Sequence, residues 1–335
     1  MDAARLNCLQ RGRSGLARVG CAILSIGVAL SVPAADQYPA KPVKLVLPFQ
    51  AGGPADLFAR LTAERLGAEW GRPVLVDYVL GATGSIGTSA VAKAAPDGYT
   101  LLFTPDIPLT MYPAVAERLP YAPRTDFKPV GTLGRSANAL FVSPSLEVSS
   151  VAELVALAKA KPGNLTFSSA GMASPAHFAA ELFKTTAAID MTHIPYKGAA
   201  PAMTAVLGGE VSLFFGPITA GLAHVRSGKV RALAVTDSVA SPLLPAVKPL
   251  VEQGFPGLVI VVRYTVLAPA QTADAVVLEI GRALQKVTGD SALRAKMEAA
   301  AITPDWQGPA QTAQTLEEER RRWREVATVA RITSN

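Results

Sequence analysis

Short runs of β-forming residues alternate with helical stretches along most of this chain, and this alternation limits the fold more than any other feature. Residues 43–48, 74–77 and 99–103 are rich in Val, Leu and aromatic side chains, which predicts strands. Residues 54–66 and 86–94 have the apolar spacing of helices. Such alternation favours an α/β fold with mainly parallel sheets flanked by helices.

The alternation continues through the second half of the chain. The further predicted elements are strands at 139–142, 165–168, 192–195, 211–215 and 230–235, and helices at 151–160, 175–185 and 201–207. From Ala273 onward the chain is predicted to be mainly helical, with Leu316, Trp323 and Val326 on one buried stripe. At 335 residues the chain is long enough for two domains.

The middle of the chain has its own strand–helix alternation, and the segments on either side of it need each other to complete a core. This pattern predicts one domain inserted into another, joined by two crossings. Lobe 1 is predicted to comprise residues 36–138 and 250–335, and lobe 2 residues 139–249.

The N-terminus has the pattern of a secretory signal peptide. Four arginines and one aspartate precede an apolar run of 14 residues, Val19–Val32, and Pro33-Ala34-Ala35 closes it with small residues. The run is shorter than the ~20 residues that span a bilayer as a helix. We therefore expect residues 1–35 to be cleaved and the protein to be periplasmic; an uncleaved membrane anchor is the alternative.

Cleavage would change both the charge and the chemistry of the chain. The net charge of +6 would fall to +3, which gives little reason to expect a nucleic-acid partner. Cys8 and Cys21 would both be lost, which would exclude disulfides, thiol catalysis and cysteine-ligated metals. His177, His193 and His224 lack metal-ligand spacing. We expect no metal and no cofactor.

A glycine-rich loop follows the first predicted strand, at Phe49-Gln-Ala51-Gly52-Gly53-Pro54-Ala-Asp56. Pro54 suits the first position of a helix, and Asp56 falls in the first turn, where a carboxylate is favoured. Gly52 and Gly53 allow a ligand close to the backbone, so this loop is a candidate anion site. A tight loop with a capping acid and nothing bound is the equal alternative.

A comparable loop, Ser168–His177, follows a strand in the second half. Ser174 is a good N-cap before Pro175, and the hydroxyls of Ser169 and Ser174 with the amides near Gly171 could hold a carboxylate. Ser174, His177 and Glu181 also have the residue types of a hydrolase triad, but triads converge from separate elements and no G-x-S-x-G elbow occurs. We therefore expect no enzymatic activity.

Two further loops have similar chemistry. Residues 81–87, which contain Gly84 and Ser85, lack the spacing of the dinucleotide and P-loop motifs. Residues 194–198 place Tyr196, Lys197 and Gly198 just after a short strand.

Several longer stretches are similar to a known family, and together they are specific. They are Tyr38-Pro-Ala-Lys-Pro-Val-Lys44, Pro48-Phe-Gln-Ala-Gly-Gly-Pro-Ala-Asp56, Val91-Ala-Lys-Ala-Ala-Pro-Asp-Gly-Tyr-Thr-Leu-Leu102, Asp126-Phe127, Ser169-Ala-Gly171, Glu181-Leu-Phe183, His193-Ile-Pro-Tyr-Lys-Gly198, Gly228-Lys-Val-Arg-Ala-Leu-Ala-Val-Thr236 and Leu267-Ala-Pro269. The chain resembles, from about Tyr38 to Ile332, the periplasmic tripartite tricarboxylate transporter receptors, also called Bordetella uptake gene proteins.

The resemblance implies a two-lobed, type II periplasmic binding protein of the Venus flytrap kind, with the ligand in the cleft between the lobes. Family ligands are small carboxylates, held mostly by backbone amides, hydroxyls and ordered water. Carried over by motif, the implied ligand-binding residues are Phe49, Ala51, Gly52, Gly53, Asp56, Gly84, Ser85, Ser169, Ala170, Gly171, Ser174 and His177.

This chain departs from the family pattern near the implied cleft. Asp77-Tyr-Val-Leu-Gly-Ala-Thr-Gly84 replaces a Glu-Asn-Arg-Pro-Gly-Ala-Gly-Gly motif, Phe215-Gly216-Pro217 replaces Phe-Asp-Asn, and Arg263-Tyr264-Thr265 replaces Trp-Phe-Gly. The loss of an acid and the gain of Arg263 shift the local charge toward positive. Arg263 is therefore a candidate for a second carboxylate; the alternative is that it points outward.

The leading hypothesis is a monomeric periplasmic solute receptor that delivers a small carboxylate to the subunits of a tripartite tricarboxylate-type permease. A sensor of the same fold without a permease is one alternative. A secreted hydrolase that uses Ser174 and His177 is the alternative from another class. The sequence does not identify the ligand.

Overall fold

The computed structural model describes residues 38–333, so the predicted signal peptide at residues 1–35 lies outside the described part. The strands of the described part are β1 (Val43–Leu47), β2 (Val74–Tyr78), β3 (Thr100–Pro105), β4 (Phe127–Val142), β5 (Thr166–Ser169), β6 (Thr192–Pro195), β7 (Leu213–Pro217), β8 (Arg231–Val235), β9 (Val261–Pro269) and β10 (Ile302–Gln307). Its α-helices are α1 (Pro54–Trp70), α2 (Ser85–Ala92), α3 (Val151–Ala160), α4 (Pro175–Ala187), α5 (Ala199–Leu207), α6 (Ile218–Arg226), α7 (Asp274–Thr288), α8 (Ser291–Ala299) and α9 (Pro309–Ala330).

The strands pair in two groups that share one long strand. We call the group with the order β2-β1-β3-β9-β4-β10 the first sheet. We call the group with the order β8-β4-β7-β5-β6 the second sheet. Strand β4 pairs with β9 up to Ala137 and with β7 from Asn138 onward. The chain therefore passes from one sheet to the other between these two residues.

The predicted α/β class is confirmed, but the pairing is mixed rather than mainly parallel. Four pairs are parallel, and they lie among β1, β2 and β3 and among β5, β6 and β7. Five pairs are antiparallel, and each of them involves β4 or β9. Strands β4 and β9 run antiparallel to the neighbouring parallel strands. The alternation of strands and helices in the sequence does not reveal this direction.

Each sheet has helices on both faces. In the first sheet, Val43, Leu45 and Leu47 of β1 are buried in one core with α1 and α7, whereas Val46 faces a second core with α2. In the second sheet, one core contains α3, α4 and α9, and the other contains α5 and α6. The period-2 alternation of β1 thus supplies apolar side chains to both layers of helices.

The C-terminal helix α9 packs against both sheets. Leu316, near its start, belongs to a core of the first sheet, and Trp323, two turns later, is fully buried in a core of the second. The ring of Trp323 meets that of Phe178 in α4 edge-on at 5.3 Å. Helix α9 therefore contacts the cores of both sheets and links them near the C-terminus.

Four elements differ from the sequence-based predictions. Strand β4 starts at Phe127, twelve residues before the predicted start, because its first part is rich in small and polar residues that mask the β pattern. At Gly131 a side chain would meet the ring of Trp306, so a small residue is required there. Strands β9 and β10 and helix α6 were absent from the prediction, and β10 interrupts the predicted helical tail.

None of the helices between residues 38 and 333 combines the length and the hydropathy that a membrane span needs.

Candidate functional site

Five loops that follow strands meet at the place where β4 passes from the first sheet to the second. The first sheet contributes the segments after β1 and β3, and the second sheet contributes those after β5, β6 and β7. The carboxyl ends of parallel strands are where open α/β sheets bind ligands, because helix starts and loops gather there. The fold thus positions a cleft at this point.

The cleft has a volume of about 340 Å³, which is within the range of small-molecule sites. Its lining residues come from both sheets and from the crossing itself. They are Phe49, Gln50, Gly53, Pro54, Ala55, Pro105, Ile107, Ser136, Ala137, Asn138, Ala170, Pro175, Ala176, Ala199, Phe214, Pro217, Ile218, Thr219, Val262, Tyr264, Ala300 and Ala301.

Several helices begin at the cleft wall. Helix α1 belongs to the first sheet, and α4, α5 and α6 belong to the second. The N-caps of α1, α5 and α6 are Gly53, Gly198 and Pro217, and none of them supplies a side-chain cap. The first N–H groups of these helices have no partner within the helix. They are donors for an anion, and the helix dipoles add to the attraction.

The polar side chains of the cleft are few and uncharged. Ser136 and Asn138 project from the same face of β4, and Thr219 lies in the first turn of α6. The hydroxyls of Ser136 and Tyr264 lie 3.3 Å apart. Burial raises the pKa of Tyr264 to about 12, so its hydroxyl stays protonated at neutral pH. These groups can form hydrogen bonds with a ligand, but they cannot neutralise its charge.

On the first sheet's side, Phe49 and Gly53 are the predicted ligand-binding residues that line the cleft. Asp56 is buried and accepts hydrogen bonds from the Gly52 amide at 2.8 Å and the Tyr78 hydroxyl at 2.5 Å. Although burial opposes ionisation, these bonds hold the pKa of Asp56 below its usual range. Its carboxylate therefore fixes the loop and does not itself line the cleft.

The remaining predicted residues of this side lie behind or beside the cleft. Gly84 is left-handed at φ +87°, and a side chain there would press on the ring of Phe49. Ser85 is buried at the start of α2, and Ala51 is exposed. Gly84 thus limits the position of Phe49, and none of these three residues lines the cleft.

On the second sheet's side, Ala170 is the predicted residue that lines the cleft. Ser169 is buried, and its hydroxyl donates to the Gly171 carbonyl at 2.9 Å and bonds His193 Nε2 at 2.7 Å. The Ser174 hydroxyl accepts from the backbone amide of His177 at 3.4 Å and caps α4. These contacts fix the loop that carries Ala170 and Gly171.

His177 is part of a buried stack of rings. Its ring lies 3.9 Å from that of His193, which in turn lies 4.7 Å from Phe167. Burial, with the neighbouring charge of Lys184, lowers the pKa of His193 to about 4, and burial lowers that of His177 to about 3. His177 Nδ1 accepts from the Ala173 amide at 3.1 Å. Both rings are neutral at physiological pH and support the loop.

This arrangement does not assemble Ser174 and His177 as a catalytic pair. The Ser174 hydroxyl is used as a helix cap, and the ring nitrogen of His177 that is hydrogen-bonded accepts a backbone amide. His177 Nε2 lies 4.0 Å from Glu181. Among residues 38–333, no group of three or more His, Cys, Asp or Glu side chains has the arrangement of a metal site.

Arg263 lies on the opposite face of β9 from the cleft. Its neighbours Val262 and Tyr264 line the cleft, and successive side chains of a strand point to opposite faces. The guanidinium lies 3.2 Å from Glu319 in α9 and 3.9 Å from Asp106. Burial raises the pKa of Asp106 to about 7, although the positive charge of Arg263 acts to lower it. Arg263, a predicted ligand-binding residue, therefore does not line this cleft.

Most of the cleft residues were absent from the sequence prediction. Ile107, Thr219 and their neighbours follow strand ends, which is a signal that could have identified them. Ser136 and Asn138 carried no signal, because the strand was predicted to begin after them. Ala300 and Ala301 lie in the turn before β10, inside the predicted helical tail.

Comparisons with known proteins agree on one family. The family model described as the tripartite tricarboxylate transporter family receptor matches residues 58–331. Protein BugT of Bordetella pertussis is 38% identical over 311 residues, which cover 92% of this chain and 94% of that protein.

Solved structures give the same result. A protein of R. palustris with adipate has a TM-score of 0.78 at 33% identity and covers 88% of this chain and 99% of its own. MatC from Rhodopseudomonas palustris with bound malate has a TM-score of 0.73 at 28% identity, and it covers 86% of this chain and 99% of its own. The predicted family and the predicted periplasmic-binding-protein fold are both confirmed.

Proposed function

Because the chain belongs to the family of tripartite tricarboxylate transporter receptors, we propose that it is a periplasmic receptor that binds a small carboxylate in the cleft between its two sheets. The relatives solved with adipate and with malate support a carboxylate as the ligand. Receptors of this family are periplasmic and work with tripartite permeases. The ligand is delivered to such a permease by a transient contact, and the receptor is a monomer.

One observation carries this function: uncapped helix starts from both sheets meet at one cleft. Pro54 has no N–H, so helix α1 presents the amide of Ala55 as its first donor from one wall, and α5 and α6 present their first amides from the other. A carboxylate can satisfy several unpaired N–H groups at once and is favoured by the positive ends of the helix dipoles. Since the donors belong to separate sheets, a bound anion joins the two walls.

We infer a division into two lobes, with the boundaries that the sequence predicts. In this division residues 36–138 and 250–335 belong to lobe 1, and residues 139–249 belong to lobe 2. Support comes from β4, which leaves the first sheet after Ala137, and from β9, which re-enters it at Val261. Two crossings allow hinge closure on a ligand, which would compact the molecule in solution.

The protein is a receptor without catalytic activity of its own. The capping role of Ser174 and the neutral, stacked state of His177 support this proposal. Residues 1–35 direct its export as a signal peptide that is then cleaved.

Calorimetric titration tests the function directly. Adipate and hexanoate should each bind with a stoichiometry of one, whereas adipamide, which has the carbon chain of adipate but no charge, should not bind. Carboxylate at 100 times its dissociation constant should add ~2.7 kcal/mol to the free energy of unfolding. Equal binding of adipamide would contradict an anion site, and a lack of binding by any small carboxylate would contradict the function.

A further inference from the structure

A largely buried group of three charged side chains lies behind the cleft wall. Arg263 of β9 faces Asp106, which directly follows β3, and Glu319 of α9. The exposed fractions of these side chains are 15% for the arginine, 1% for the aspartate and 10% for the glutamate. None of the three lines the cleft, so any effect of theirs on a ligand has to act through neighbouring residues.

Asp106 and Arg263 are hydrogen-bonded to each other in both directions. The amide of Asp106 donates to the carbonyl of Arg263 at 2.8 Å, and the amide of Arg263 donates to Oδ1 of Asp106 at 3.2 Å. These two bonds continue the pairing of β3 with β9, whose last partners are Pro105 and Tyr264. The carboxylate of Asp106 therefore holds the end of β3 against β9.

The residues on either side of both members of this pair line the cleft. They are Pro105 and Ile107 around the aspartate, and Val262 and Tyr264 around the arginine. A shift of either member of the pair therefore moves the cleft wall on two strands at once.

The charge of Arg263 keeps the carboxylate in this position. Oδ2 of Asp106 forms no hydrogen bond with any residue between 38 and 333, and it lies 3.9 Å from Nη1 of Arg263. Burial raises the pKa of this carboxyl group, and the charge of Arg263 lowers it. Without the guanidinium, the buried carboxylate would take up a proton or move toward water. Either response weakens the hydrogen bond that it accepts from β9, because a charged acceptor binds an amide more strongly than a neutral one.

Resting on the proposed function, we propose that Arg263 is a positioning residue of the cleft: through Asp106 it holds the apolar wall formed by Pro105, Ile107 and Val262 against the carbon chain of the ligand. The amides proposed to bind the carboxylate belong to other elements, the helices α1, α5 and α6. Arg263 therefore supports the binding of long carboxylates more than that of short ones, although it touches neither.

Calorimetric titration of the full protein with butyrate and hexanoate at pH 7.5 tests this inference. Both acids carry one carboxylate, but hexanoate has two more methylene groups to place against the wall, so the wild type should bind it ~tenfold more tightly. Arg263→Met should lower the affinity for hexanoate at least ~tenfold and that for butyrate at most ~threefold. Arg263→Lys keeps a cation between the two acids and should restore most of the hexanoate affinity.

Arg320→Met is the matched control. The side chain of Arg320 is 11% exposed, but it pairs with Glu317 of its own helix at 2.8 Å. Urea unfolding measures the stability of both methionine variants, and Arg320→Met should keep the wild-type affinity for both acids. Asp106→Asn tests the same contact without removing the arginine. It should lower the affinity for hexanoate at least ~threefold, because the neutral amide holds β9 less strongly.

The outcomes separate this inference from the proposed function. Equal losses for butyrate and hexanoate in Arg263→Met would overturn the positioning role, as would unchanged hexanoate affinity in a folded Arg263→Met or in Asp106→Asn; the receptor function would stand in each case. If the wild type binds neither these acids nor adipate, the proposed function fails, and the positioning role with it.

Discussion

Arg135 Nε donates a hydrogen bond to Asp237 Oδ2 at 3.0 Å and joins a residue of the first sheet to one that follows β8 of the second. The same guanidinium pairs with Asp305 in β10 at 2.8 Å. Arg135 lies two residues before the crossing of β4, so this ion pair spans the two sheets at the point where a hinge would bend. Asp237 is almost completely buried, and Arg135 is the one cation that pairs with it among residues 38–333.

Replacement of Arg135 by Met should therefore destabilise the protein by roughly 2–4 kcal/mol, because it leaves the buried carboxylate of Asp237 without a cationic partner. Lys286→Met is the control, since Lys286 pairs with Glu69 at a distance of 2.7 Å but is itself largely exposed. Exposed pairs contribute about 1 kcal/mol or less. Urea unfolding measures both variants, and equal losses would refute a special role for Arg135.

The stacked histidines predict a loss of stability in mild acid. The pKa values of His177 and His193 fall to about 3 and about 4 in the folded protein, mainly through burial. The unfolded chain, with ordinary histidines near pH 6.5, binds more protons in this window. The contribution of these two histidines to the free energy of unfolding should therefore be fully present above pH 6.5. It should decrease as the pH falls from 6.5 toward 4.

Urea unfolding between pH 7.5 and 4.5 measures this slope. His193→Gln keeps a hydrogen-bonding group near Ser169 but removes one titrating ring, so the slope should become shallower. His224→Gln is the control, because His224 lies in the last turn of α6, outside the stack. A slope equal to that of the wild type in His193→Gln would contradict the account.

Gly53→Val should weaken carboxylate binding without unfolding the protein. Gly53 lines the cleft at φ −88°, and a Cβ there meets no atom within 4 Å, so the fold accommodates the side chain. The new methyl groups would stand between the ligand and the amides of α1, and affinity should fall at least ~tenfold. Gly257→Val is the matched control, because its Cβ is equally unobstructed and it is exposed outside the cleft. Unchanged affinity in Gly53→Val would exclude this loop from the site.

Ser174→Ala should cost about 1 kcal/mol of stability, because it removes the N-cap of α4. Ser174→Asp should restore most of that loss, since aspartate is also a good cap. Neither variant should change the hydrolysis of a test ester, which should stay at the uncatalysed rate. Ester hydrolysis that is present in the wild type and lost in Ser174→Ala would establish the catalytic alternative.

The sequence predicts the elements whose pattern is local and misses those that depend on partners distant in the chain. The helix starting at Pro175 and the strand starting at Val43 follow from capping residues and alternation. The long strand β4 cannot be predicted in this way. Its Gly131 and Gly134 leave space for Trp306 and Met297, which lie more than 150 residues away in the sequence.

The same limit applies to the site. The glycine-rich loop at Gly53 was identified from its own residues, and it lines the cleft. Arg263 was a candidate and Tyr264 was not, because one residue of strand register decides which of them lines the cleft. Register is set by pairing with β4 and β3, which local sequence does not reveal.

A crystal structure of the protein with adipate bound is the most direct measurement of the central claim. The account predicts a carboxylate in the cleft, with its oxygens within hydrogen-bond distance of the first backbone amides of α1, α5 or α6, and the carbon chain against Phe49, Phe214 and Val262. A carboxylate held instead by an arginine or lysine side chain, or bound outside this cleft, would contradict it.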